Sequence, residues 1–162
     1  MVKVKICCVT NLDDALLVTN IGADYIGFNF YKESLRKISE KLCKEVVAKL
    51  PPFIIPVGVF VDEDINLIAK TAKKCSLKMI QLHGSETPEY CKEAKSLTNL
   101  GVIKAGKPFF LAGGITPDNV SEAITKVQPF AVDVATGVER LPRRKDYDKV
   151  NKLVRIARGL KA

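Results

Sequence analysis

The chain has 162 residues, 47% apolar and 27% charged, with a net charge of +8. That length predicts one domain, spanning 1–162, with a sizeable core, and the composition is that of an ordinary globular protein. The charge favours anionic ligands, but no Lys/Arg block is long enough for a nucleic-acid tail, and the densest basic run, 140–145, reads as a solvated turn.

In chain order, candidate strands fall at 3–8, 24–30, 54–61, 78–84, 101–105, 109–114 and 131–137. Candidate helices fall at 12–21, 39–50, 64–74, 88–96, 117–126 and 147–160, with start signals at Asn11, Ser39 and Thr87-Pro88. Strands alternating with helices of this length predict βα units and a parallel sheet. The rhythm breaks once. Only Gly106-Lys107-Pro108 separate the fifth strand from the sixth, whereas a parallel neighbour needs a crossover of about a dozen residues. Either the two strands are one irregular element, or a helix–strand–helix unit of about 40 residues is absent. Restoring it gives roughly 200 residues, the lower edge for eight-stranded βα barrels. The expectation is an α/β, TIM-type (βα)8 barrel lacking the segment around strand 6 between Ala105 and Lys107. That loss predicts unpaired edges and exposed apolar surface, such as Ile103.

Alternation along strands singles out polar side chains. With β-branched residues and Leu packed outward against helices, Lys5, Cys7, Gln81, His83, Lys104 and Asp133 point inward. Buried charges must be paired, so a structural Lys–Asp–Gln network and a ligand-facing role are both open for them. His83, at a strand end, contacts ligand or anchors a loop. Cys7 also ends its strand, where barrels keep their chemistry. A buried cysteine is ordinarily inert packing, and the residues alone favour that for Cys7; the other reading is that neighbouring lysines lower its pKa and make it a proton acceptor.

The stretch Phe109-Phe110-Leu111-Ala112-Gly113-Gly114-Ile115-Thr116-Pro117-Asp118-Asn119-Val120 reads as a buried strand, a glycine turn and a helix capped by Thr116. It is either a phosphate site at a helix start or an ordinary tight turn. Five cysteines without a Cys-x-x-Cys, and one histidine, argue against zinc and against a disulfide framework. With no signal peptide and no long apolar run, a reducing cytoplasm and no membrane contact are expected.

Val4-Lys5-Ile6-Cys7, Ser34-Leu35-Arg36-Lys37-Ile38, Val57-Gly58-Val59-Phe60-Val61, Gln81-Leu82-His83-Gly84, the 111–120 stretch and Val132-Asp133-Val134-Ala135-Thr136-Gly137-Val138-Glu139 together resemble the phosphoribosylanthranilate isomerases of tryptophan biosynthesis, in the family's order. The resemblance implies a barrel without metal or cofactor. Its reaction is an Amadori rearrangement of N-(5-phosphoribosyl)anthranilate to 1-(2-carboxyphenylamino)-1-deoxyribulose 5-phosphate. An acid protonates the furanose oxygen and a base removes the C2′ proton. By resemblance the base is Cys7. Arg36 meets the anthranilate carboxylate, His83 and Asp133 line the pocket, and Gly113, Gly114, Ala135, Thr136 and Gly137 hold the phosphate. The chain departs from the family twice: Cys8 stands where the motif has glycine, and no residue matches the general-acid aspartate that ends the family's sixth strand. The alternative is a catalytically impaired or non-catalytic barrel that binds a phosphorylated ligand. The expected partner is that small molecule, not nucleic acid, and the expected state is a monomer or homodimer.

Overall fold

The computed structural model describes residues 1–104 and 109–160. Strands β1 (Lys3–Ile6), β2 (Tyr25–Asn29), β3 (Ile55–Phe60), β4 (Met79–Leu82), β5 (Gly101–Ile103), β6 (Phe110–Ala112) and β7 (Ala131–Val134) form one parallel sheet, ordered β5-β4-β3-β2-β1-β7-β6. Helices α1 (Leu12–Ile21), α2 (Glu40–Val47), α3 (Ile65–Lys74), α4 (Pro88–Thr98), α5 (Val120–Val127) and α6 (Tyr147–Ala157) alternate with them. A short hairpin, β8 (Glu139–Leu141) and β9 (Arg144–Lys145), lies between β7 and α6. The start signals act as capping chemistry requires. Asn11, Ser39 and Thr87 each accept a backbone N–H of the first helical turn, and Pro88 occupies the start of α4.

The sheet curls on itself. The Tyr25 ring on β2 meets Phe110 on β6 edge-on, with centroids 5.4 Å apart, although β1 and β7 stand between those strands. Three steps of about 4.8 Å would separate them by about 14 Å in a flat sheet. Tyr25, Val57 and Ile103 make the buried interior floor, with Ile55, Met79 and Phe110 packed on it. Val4, Ile6, Ile26, Phe28, Ile80, Leu82, Val132 and Val134 face the other way, into the main core.

The fifth strand departs from the expected facing. Ile103 pairs across from Gln81 and is buried in the interior, while Val102 packs against the outer core. Lys104 lies past the strand end, where its Nζ donates to the Gly84 carbonyl at 2.5 Å and to Glu86 at 2.6 Å. A three-residue strand offers no period to read, so its neighbour's register sets its facing. Ile103 is therefore not exposed; the large apolar residues exposed near that edge are Phe109 and Phe130.

β5 and β6 are separate strands at opposite ends of the sheet, which removes the reading of one irregular element. Among the described residues β5 pairs only with β4, and β6 only with β7. A cavity of about 210 Å³ between them is walled by Ile103 and Lys104 on one side and by Phe109 and Phe110 on the other. The break that the sequence places at Ala105, Gly106, Lys107 and Pro108 lies outside the described residues.

The Tyr25–Phe110 contact joins strands that no hydrogen bond joins. Phe110→Ala should therefore destabilise the chain by about 3 kcal/mol, the lower end for removing a packed phenylalanine. The midpoint of denaturant unfolding checks this.

Candidate active site

The site is built on the strand ends that carry inward-facing polar residues. Lys5 is wholly buried, and its Nζ lies 2.9 Å from each carboxylate oxygen of Asp133. Lys5 and Asp133 are register partners on β1 and β7, so the pair lies across one ladder. Burial disfavours the ammonium, but Cys7 and Asp133 outweigh it and hold the Lys5 pKa above its ordinary value. Gly27 makes the space. A Cβ there would lie 2.6 Å from Cys7 Sγ and 3.0 Å from Lys5 Nζ.

Just past β1, Cys7 and Cys8 place their Sγ atoms 3.8 Å apart. Cys8 adopts a left-handed φ of 61°, costly for a residue with a side chain. Asn29 Nδ2 lies 3.8 Å from Cys8 Sγ. The two thiols titrate as a pair. Contact with Cys8 and burial push Cys7 up, against the pull of Lys5. Cys8 is lowered to about 6 by Cys7, against burial, with help from Asn29, Lys145 and Lys5. The pair thus gives up one proton easily and holds the other.

A cavity of about 340 Å³ opens above these groups. Of the residues singled out from sequence, Cys7, His83, Asp133, Gly113, Gly114, Ala135, Thr136 and Gly137 all line it. Gly113 and Gly114 have φ of 93° and 63°, with open space where a Cβ would stand. A Cβ on Gly137 would strike the Ile115 carbonyl oxygen, so the two loops can abut only at glycine. Gln81 also faces the cavity. It does not join the Lys5–Asp133 pair, and its buried Oε1 has no partner among the described residues.

Expectations change at the start of α5 and in the 140–145 run. α5 starts at Val120, not Pro117, and Thr116 is not its cap. The Asn119 side chain accepts the Thr116 N–H at 2.8 Å and donates to the Gly114 carbonyl at 2.8 Å, which folds residues 116–119 into a turn ahead of the helix. Arg36 does not line the cavity. Its Nε and Nη2 donate to both oxygens of Glu139, at 2.9 and 2.7 Å. Burial opposes the Glu139 charge, yet Arg36 and Lys145 keep its pKa below the ordinary carboxylate value. Lys145 belongs to the 140–145 run read as a solvated turn, but it is buried, with Nζ 2.9 Å from the Ala135 carbonyl oxygen. Among the described residues no cluster of three His, Cys, Asp or Glu could hold a metal.

A family model described as N-(5′-phosphoribosyl)anthranilate isomerase matches residues 4–107 and 98–156. The isomerase of that name from Trichlorobacter lovleyi is 40% identical over 202 positions, covering 98% of each chain. The chain belongs to the N-(5′-phosphoribosyl)anthranilate isomerase family. It is an isomerase of tryptophan biosynthesis.

Among solved structures, monomers of the dimeric phosphoribosylanthranilate isomerase from Thermotoga maritima give a TM-score of 0.92 at 35% identity, covering 99% of this chain and all of theirs. A phosphoribosylanthranilate isomerase in complex with reduced 1-(o-carboxyphenylamino)-1-deoxyribulose 5-phosphate gives 0.90 at 36%, with the same coverage. The fold is thus the TIM-type α/β fold of the family. An alignment of 202 positions against 162 residues leaves about 40 positions of the relative without a counterpart here, the size of one helix–strand–helix unit.

Sequence reasoning missed Gly27, Asn29, Glu139 and Lys145. A glycine inside an apolar strand is the signal that finds Gly27, because it marks a close approach. Nothing local marks Glu139, whose partners lie 103 and 6 residues away.

Asp133→Asn leaves Lys5 charged, buried and unpaired, and should cost about 3–5 kcal/mol. The double variant Lys5→Met/Asp133→Leu should lose less than the sum of its single changes, read from a double-mutant cycle of thermal unfolding.

Proposed function

We propose that the 340 Å³ cavity binds N-(5-phosphoribosyl)anthranilate, with Cys7 as the base that takes the C2′ proton. One observation carries this reading: a buried strand-end thiol and two glycine-bearing loops line the same space. The phosphate rests on Gly113 and Gly114 and on Ala135, Thr136 and Gly137, where the backbone approaches it without side chains in the way. His83 and Asp133 line the sugar-facing wall, and Gln81 Oε1 accepts a substrate hydroxyl. Arg36 keeps Nη1 for the anthranilate carboxylate, while Glu139 fixes the plane of its guanidinium. The reduced deoxyribulose phosphate held by a structural relative has these same three parts: phosphate, sugar chain and carboxyphenyl group.

Proton removal needs the Cys7 thiolate. Of the pair, Cys8 carries the thiolate and Cys7 the remaining proton, so Cys7 becomes the base when that proton passes to Cys8 across the 3.8 Å between their sulfurs, with Lys5 supporting the charge left on Cys7. Protonation of the ring oxygen falls to no matched residue of this chain. A positioned acid contributes about 10²–10⁴-fold, so turnover is expected to lie lower than in relatives by about that factor. The free thiols fit a cytoplasmic setting, and the cavity lining comes from a single chain, as a monomer or a homodimer would present it.

Cys7→Ser should reduce turnover of N-(5-phosphoribosyl)anthranilate by at least about 10²-fold while leaving product-analogue affinity within a few-fold, measured by steady-state kinetics and calorimetry. Retained turnover removes Cys7 as the base.

Gln81→Leu tests the free acceptor separately. It should raise KM about tenfold, the loss of one hydrogen bond, without lowering the unfolding midpoint of the unliganded chain. A lower midpoint with unchanged KM would make Gln81 structural.

A further inference from the structure

Two free thiols stand side by side on the cavity wall, and the proposed chemistry uses only one. Cys7 and Cys8 are 8% and 9% exposed and line the same 340 Å³ space, so a small reagent that enters the cavity reaches both. Their Sγ atoms are 3.8 Å apart. Cys8 is the more acidic of the two, because the neighbouring thiol, Asn29 and the Lys145 and Lys5 ammonium groups favour its thiolate over the opposing effect of burial. An accessible thiolate beside a second thiol is the arrangement that oxidises reversibly. The other cysteines lack it: Cys43 and Cys75 are fully buried away from the cavity, and Cys91 lies on α4.

We propose that the Cys7–Cys8 pair is a reversible oxidation site for small hydroperoxides, with Cys8 the residue attacked and Cys7 the residue that closes the bridge. The Cys8 thiolate displaces the peroxide O–O bond. An S–O bond forms, and the leaving oxygen departs as water or an alcohol after taking a proton. Cys7 then attacks the Cys8 sulfenyl sulfur; the S–S bond forms, the S–O bond breaks, and hydroxide leaves as water with the proton of Cys7. Two electrons pass from the two thiols to one peroxide. Neighbouring Cα atoms stand about 3.8 Å apart, closer than in most disulfides, so the bridge is strained and cellular thiols reopen it. While closed, it withholds the thiol that takes the C2′ proton.

The effect on turnover rests on the reading of Cys7 as the base; the oxidation itself does not. Trypsin frees residues 6–32, which contain Cys7 and Cys8 and no other cysteine. The full chain is treated with hydrogen peroxide at neutral pH, alkylated and digested. The expected result is this peptide lacking two hydrogens and resistant to alkylation. Turnover should fall about tenfold or more, and dithiothreitol should restore both. Cys8→Gly should abolish the bridge. The proposal is overturned if the peptide stays reduced while Cys91 or the buried cysteines oxidise, or if Cys8 gains oxygen without a link to Cys7. A bridge that forms and leaves turnover intact upholds the oxidation site and overturns Cys7 as the base, so the two readings fail separately.

Discussion

An ammonium group with no surface in water is held inside this barrel by a single carboxylate. Lys5 and Asp133 face each other across the β1–β7 ladder, at 2.9 Å to both oxygens. Burying either ion alone would cost several kcal/mol, and the attraction compensates only while the geometry holds. The pair therefore fixes more than its own contact. It sets the register by which the first and last segments of the chain meet. It requires Gly27 on the neighbouring strand, because a Cβ would fill the space of Lys5 Nζ and Cys7 Sγ. It also puts a fixed positive charge beneath Cys7, two residues further along the chain and just past β1.

Above that floor the walls come from loops that are themselves locked. The hairpin β8–β9 places Glu139 between Arg36 and Lys145, and the Lys145 ammonium holds the Ala135 carbonyl. Asn119 folds the segment after Gly114, and Gly137 lets the β7 loop lie against the Ile115 carbonyl. An open space between two loops persists only if neither can relax into it. Here each loop is tied to something outside itself, so the cavity is a property of the packing rather than of either loop.

The open side of the sheet does not disturb these ties. The ion pair, the thiols and the glycine loops belong to β1, β6 and β7, which remain hydrogen bonded to each other. The opening lies between β5 and β6, and the apolar floor of Tyr25, Ile103 and Phe110 spans the interior beside it. The chain thus keeps the strand-end thiols and both glycine loops around one cavity, on strands bound to one another.

Local chemistry made much of this legible in the sequence. The seven strands and six helices follow from apolar runs, caps and turn residues, whose effects reach only a few positions. The inward facing of Lys5, Cys7 and Asp133 follows from strand alternation, and motif order brought in the family. What the sequence did not carry were relations between distant segments. The facing of β5 depends on its register against β4, and Lys104 is drawn out of the interior by Glu86. The pairing of Arg36 with Glu139 joins residues 103 apart, and the burial of Lys145 depends on a hairpin folding over Ala135. Asn119 takes the capping position from Thr116 through a contact with Gly114. Backbone preference is set by neighbours in the chain, whereas the partner of a long charged side chain is set by what the closed fold brings within 3 Å. Only the tertiary structure decides that.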